Sequence, residues 1–174
     1  KEPCLVSVGD KIQFYSISRA EYDLHKIEGE VGIYKVEKIK TIGDAYMAAG
    51  GLPVPSENSV LNTILAAIEM QSYITRRIAE KESTDGFAFE MRLGIHTGPV
   101  VAGIAGVKKF QYDIWGDTVN TASRMESSGA VGKVNISQDT YELIKENPIF
   151  RFTHRGKINA KGKGEIDMWF VETI

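Results

Sequence analysis

An α+β fold, with a largely antiparallel sheet covered by helices on one face, is what this sequence predicts. Three observations lead there. Runs with the two-residue period of strands come in pairs, separated by runs with the three- and four-residue spacing of helices, unlike the regular alternation of a doubly wound parallel sheet. Phe87 to Ile95 alternates apolar and other residues without a break. The 174 residues, 43% of them hydrophobic, supply one sizeable core and leave little room for a second domain. A ferredoxin-like βαββαβ core with an extra helix and strands fits this order best.

Residues 4 to 8 (CLVSV) suggest a short strand. Ile33 to Ile39 alternates and runs through Thr41-Ile42-Gly43-Asp44 into Ala45 to Ala49, which predicts a hairpin tipped by Gly43 and Asp44. After a loop holding Pro53 and Pro55, Ser59 to Lys81 places Val60, Ile64, Ala67, Ile68, Ile74 and Ile78 mostly at helical steps, with Asn58 or Ser59 as N-cap. Phe87, Phe89, Met91, Leu93 and Ile95 form one face of a strand. Gly98-Pro99 breaks it, and Val100 to Ala105 resumes a strand-like run. Thr118 to Glu126 fits a short helix with Val119, Ala122 and Met125 inward. Lys133 to Ile136 reads as a strand, and Ser137 can cap a helix from Gln138 to Glu146. Strand-like pieces at Ile149 to His154 and Asp167 to Val171 flank the glycine-rich Gly156 to Gly164.

Composition excludes several classes. With 21 Lys and Arg against 23 Asp and Glu, the net charge of -2 leaves no broad basic footprint for duplex nucleic acid. The longest apolar runs, Val100 to Ala105 and Ile64 to Ile68, fall far short of the roughly 20 residues that span a bilayer. One cysteine, Cys4, cannot form an internal disulfide, so an intracellular setting is the default. The start at Lys1, without a signal peptide, reads as a fragment of a larger protein, the cytoplasmic part of a membrane-anchored or multidomain chain. An RNA-binding ferredoxin-like module is disfavoured, because Phe87-Ala88-Phe89 lacks the glycines of the aromatic RNA-binding motif.

Several residues carry chemistry. Asp44 at the hairpin tip and Asp10 after the first short strand are either turn formers or, on neighbouring strand ends, a pair of carboxylates for hard cations. On a helix starting near Asp117, Asn120 and Arg124 are four residues apart and share a face, either a solvated face or a grip for a sugar and a phosphate. Lys161 and Lys163 sit between glycines, as a solvated basic turn or an anion contact. His96, with no second His or Cys nearby in sequence, reads as structural and not as a zinc ligand. Neither a G-x-x-x-x-G-K-[ST] nor a G-x-G-x-x-G phosphate loop occurs.

Glu37 to Met47 (EKIKTIGDAYM), Met91 to Gly98 (MRLGIHTG), Tyr112 to Met125 and Asn159 to Gly164 (NAKGKG), in this order, resemble a class III nucleotidyl cyclase catalytic domain from about Ile33 to Val171. The resemblance implies a dimer with two nucleotide sites at its interface, each drawing metal-binding Asp residues from one subunit and base, ribose and phosphate contacts from the other. It implies two Mg²⁺ or Mn²⁺ ions, with Asp44 as the second metal Asp. The first metal motif is matched by Val8 to Tyr15 in its Asp10 and Phe14, with Lys11 and Gln13 where the motif has Ile and Gly; Asp10 and the adjoining Lys11 take the first metal positions. Lys40 and Asp113 match the purine-reading positions, Asn120 the ribose-orienting amide, Arg124 the transition-state arginine, and Lys161, with Lys163 as the alternative register, the lysine on the terminal phosphates. The guanylyl members place Glu and Cys where Lys40 and Asp113 stand. The expected activity is therefore conversion of ATP to cyclic AMP by a homodimer or by a pair with a homologous cyclase domain, with a catalytically silent regulatory domain as the alternative.

Overall fold

A computed structural model describes residues 34, 36–82, 90–106, 111–160 and 164–174. The expected strand at 4 to 8, Asp10, Lys11, Phe87 to Phe89, Lys161 and Lys163 lie outside the described residues. The elements are β1 Val36–Ile42, β2 Ala45–Gly50, α1 Ser59–Glu82, β3 Leu93–Ile95, β4 Val101–Ala105, β5 Gln111–Trp115, α2 Asp117–Ser127, β6 Val134–Ser137, α3 Gln138–Ile144, β7 Phe150–Ala160 and β8 Gly164–Thr173.

A four-stranded sheet, in the order β3-β6-β8-β7, forms the centre. β3 and β6 run parallel, and β8 is antiparallel to both β6 and β7. Two antiparallel hairpins, β1-β2 and β4-β5, stand beside it. All four residues of β6 are buried, which requires cover on both faces of the sheet. Val134 and Ile136 turn to one face and pack with Ile64 and Ala67 of α1, Ile144 of α3, Ile95, Phe150 and Val171. Asn135 turns to the other face, where its Nδ2 donates to the Met125 carbonyl of α2 at 2.7 Å. The expectation of helices on one face is therefore corrected: α1 and α3 cover one side, and α2 is the extra helix on the other. Gly94 makes this possible, since a Cβ there would collide with the backbone N of Glu126.

Helix α1 begins where its sequence predicts, with the Asn58 carbonyl accepting from Asn62 N at 2.8 Å. Ser137 caps α3 by accepting from the Thr140 N–H at 3.3 Å. The strand expected through Ile95 is limited, among the described residues, to Leu93–Ile95, because its parallel partner β6 offers only four residues. Gln111–Trp115, read in the sequence as part of a motif and not as a strand, pairs fully with β4. The C-terminal strands are longer than expected and bulge between His154 and Gly156. Among the described residues no helix is long and apolar enough to cross a membrane.

Candidate functional site

The two hairpins and α2 set the candidate site. Ile42 pairs with Ala45, so Gly43 and Asp44 form a two-residue loop, and Gly43 supplies the positive φ of 60° that such a tight turn needs at its first position. Asp44 is exposed at the tip. The β1-β2 register shifts once, between Lys38 and Lys40, which makes Ile39 the extra residue of a bulge. Bulges bend a strand and re-aim its side chains. Here Ile39 turns into the core at 6% exposure, while Lys40 reaches β5 and its Nζ donates to Asp113 Oδ2 at 2.7 Å.

Asp113 Oδ1 accepts from the Ile114 N–H at 2.8 Å. The hydrogen bond from Lys40, ahead of this backbone bond and against partial desolvation, holds the Asp113 carboxyl below its ordinary range. Both side chains stay partly exposed, at 26% and 15%. An ammonium has three donors and a carboxylate about four acceptor sites, so the pair retains a donor and an acceptor for a ligand. A heterocycle edge with an acceptor beside a donor matches it.

A cavity of about 480 Å³ adjoins the pair, lined by Lys40, Ile114, Trp115, Gly116, Asp117, Val119 and Asn120. A larger one of about 630 Å³ runs between β2, the end of β3 and α2, and Asn120 lines both. Among the described residues β2 pairs only with β1 and β3 only with β6, and both strands border this larger cavity. The start of α2 is tied to the β3-β4 loop by Thr118 Oγ1, which donates to the Pro99 carbonyl at 2.6 Å. Nothing in one dimension singles out Thr118 beyond its place in the first turn of a helix. Arg124, one turn beyond Asn120, is half-buried, lines neither cavity and makes no ion pair among the described residues.

The structure thus pairs Lys40 with Asp113 and places Lys40 and Asn120 on one cavity, whose lining includes neither Asp44 nor Arg124. The His96 ring is 4% exposed, with Nδ1 2.7 Å from Ser137 Oγ, and it borders the larger cavity. Among the described residues no three His, Cys, Asp or Glu side chains gather as a metal centre within one chain.

The sequence model of the adenylate and guanylate cyclase catalytic domain matches residues 21–173. The chain belongs to that family. It is 41% identical over 165 residues to the human guanylate cyclase soluble subunit beta-2, covering 93% of this chain and 25% of the relative. It is 40% identical over 136 residues to an adenylate cyclase of Mycobacterium tuberculosis, covering 78% of this chain and 29% of the relative. The chain therefore spans between a quarter and a third of the length of these relatives. Among solved structures, the catalytic core of a rhodopsin-guanylyl cyclase with converted specificity, in complex with ATPαS, superposes with a TM-score of 0.75 at 31% identity, covering 91% of this chain and 86% of that one. The adenylyl cyclase CyaB of P. aeruginosa gives a TM-score of 0.77 at 25% identity over 91% of this chain and 85% of that one. The cyclase fold expected from the sequence is the fold found. The matched span leaves out Asp10 and Lys11.

Proposed function

We propose that this cyclase domain is an adenylyl cyclase, converting ATP to 3′,5′-cyclic AMP and pyrophosphate. The observation that carries the reading is the juxtaposition of Lys40 and Asp113 at 2.7 Å beside a cavity also lined by Asn120. Adenine offers an acceptor at N1 next to a donor at N6, which suit an ammonium and a carboxylate. Guanine offers a donor and an acceptor in the same places and would set like against like. Each buried unpaired polar group costs about 1–3 kcal/mol, so two mismatches discriminate by on the order of a hundredfold or more. The relatives include both guanylate and adenylate cyclases, and Lys40 with Asp113 supports the adenylyl reading.

In the reaction the ribose 3′-oxygen, losing its proton, attacks the α-phosphorus in line. The bond to the bridging oxygen breaks and pyrophosphate leaves. Lys40 and Asp113 fix the base, and Asn120 orients the ribose for that attack. Arg124 stabilises the charge that grows on the phosphoryl oxygens, and Lys161 holds the departing phosphates. The exposed Asp44 carboxylate is the kind of ligand that Mg²⁺ or Mn²⁺ takes, and the Asp10 carboxylate with the backbone carbonyl oxygen of Lys11 would complete the site. Two such ions, when bound, acidify the 3′-hydroxyl and neutralise the triphosphate. Since Asp44 lines neither cavity of its own chain, the reading calls for a two-fold homodimer in which it serves the partner's nucleotide.

The test is product analysis of the purified chain with ATP or GTP and Mn²⁺ or Mg²⁺ over a range of protein concentrations. Cyclic AMP from ATP, with specific activity rising with concentration, is the expected result. No cyclic product from folded chain at any concentration would sink the enzyme reading. The second reading, a silent domain that pairs with an active partner, is favoured by the surroundings of Asp10, where Lys11 and Gln13 replace the motif's Ile and Gly. It would be marked by the absence of metal-dependent nucleotide binding in calorimetry.

A further inference from the structure

We infer that Trp115 is the platform on which the purine ring of the nucleotide stacks, an inference that rests on the adenylyl cyclase reading. Trp115 is a large apolar side chain left 42% exposed next to a polar pair. On β5 it is two residues from Asp113, so both point to the same face of the hairpin. Gly103 is the register partner of Asp113, and a Cβ on Gly103 would lie 3.8 Å from Trp115 Cζ3. The edge of the indole therefore extends over the one position opposite Asp113 that has no side chain to fill the space. Trp115 also lines the 480 Å³ cavity with Lys40 and Asn120. That volume lies in the range of small-molecule sites.

Hydrogen bonds from Lys40 and Asp113 read the edge of a purine but leave its two faces without contact. A flat apolar wall beside that edge supplies the missing interaction, and it does so without regard to which purine is bound, because every base has a π-face. Recognition then divides between two parts of one surface. Trp115 contributes affinity common to ATP and GTP, and Lys40 with Asp113 chooses between them.

The experiment uses the whole chain with 3′-deoxy-ATP, 3′-deoxy-GTP and inorganic tripolyphosphate, none of which can cyclise. Trp115 and Trp169 are the only tryptophans. The expected result is quenching of tryptophan emission by both purine analogues and not by tripolyphosphate, with the response lost in Trp115→Phe. Trp115→Leu should weaken 3′-deoxy-ATP binding on the order of tenfold, Trp115→Phe should recover most of it, and tripolyphosphate affinity should stay unchanged. Calorimetric binding of the analogues without quenching would overturn the inference. So would Trp115→Leu that binds 3′-deoxy-ATP as tightly as the parent chain, even if it had lost dimerisation, or that loses tripolyphosphate equally. A chain that stacks purines but makes no cyclic nucleotide would defeat the cyclase reading and leave the platform standing; one that binds no nucleotide would defeat both.

Discussion

Lys40 and Asp113, 73 residues apart in the chain, meet at 2.7 Å through a bulge on β1 and a backbone hydrogen bond on β5. Each is the other's partner in the absence of a base, so neither charge stands unpaired in its partly buried setting. Replacing one alone would leave the other without a counter-charge. The informative change is the double one: Lys40→Glu with Asp113→Cys should lower the ratio of kcat/KM for ATP to that for GTP by on the order of a hundredfold. An unchanged ratio would show that these residues do not read the purine.

The same contact predicts a pH dependence. Asp113 is held below its ordinary carboxyl value chiefly by Lys40. Its contribution to stability is therefore complete above the unfolded value of about 3.9 and declines as pH falls from there through the lower folded value. Carbon-detected NMR should place the Asp113 midpoint below that of an exposed aspartate, and Lys40→Met should move it up. The stability difference between the two chains should be present at neutral pH and vanish in strong acid. A midpoint that does not respond to Lys40→Met contradicts the assignment.

Much of this arrangement was legible in the sequence, and the gaps have physical causes. The hairpin at Gly43-Asp44, the start of α1 and the Ser137 cap were read from short-range chemistry, which the tertiary structure leaves intact. The bulge at Ile39 was not, because one extra residue in a strand leaves composition and alternation almost unchanged. β5 escapes the sequence reading because its five residues are too few for the alternation of Gln111, Asp113 and Trp115 with Tyr112 and buried Ile114 to stand out. The placement of α2 on the second face turns on Gly94, whose role is a close backbone approach invisible in one dimension. Lys40, Asp113 and Asn120 are all named from the sequence, yet the Lys40–Asp113 pair and the cavity that Lys40 shares with Asn120 follow from packing between β1, β5 and α2.

Gly94 offers a test of that packing. A Cβ there has no flexible neighbour to displace, since the atoms it meets are the backbone of Met125 and Glu126. Gly94→Ala should cost about 3 kcal/mol or more, near the upper range for overpacking, and lower Tm by roughly 6–12 °C for a chain of this size. Thermal unfolding followed by circular dichroism measures it. A Tm within error of the parent would mean that α2 does not lie this close to β3.

Arg124 separates binding from chemistry. Its guanidinium makes no ion pair among the described residues and lies one helical turn beyond Asn120. If its contact strengthens as charge grows at phosphorus, Arg124→Ala should reduce kcat by on the order of a hundredfold or more while KM for ATP changes little. Equal losses in kcat and in binding of a non-cyclisable ATP analogue would assign it to ground-state binding instead.

The separation of Asp44 from Asn120 and Arg124 makes a prediction about assembly. Among the described residues Asp44 lines neither of the two cavities that Asn120 lines, so the dimer reading draws Asp44 from one subunit and the α2 residues from the other. Asp44→Asn and Arg124→Ala homodimers should each be inactive, because in either both sites lack a required group. In a mixed dimer the two defects fall together in one site and leave the other intact. Equal mixing with free exchange makes half the dimers mixed, and half of their sites whole, so activity should return to about a quarter of the parent value at two-fold symmetry. The measurement is cyclic AMP formation against mixing ratio, with a maximum at equal proportions. If activity stays absent while exchange is demonstrated by subunit labelling, Asp44 and Arg124 serve the same chain's nucleotide and the shared-site reading of the dimer fails.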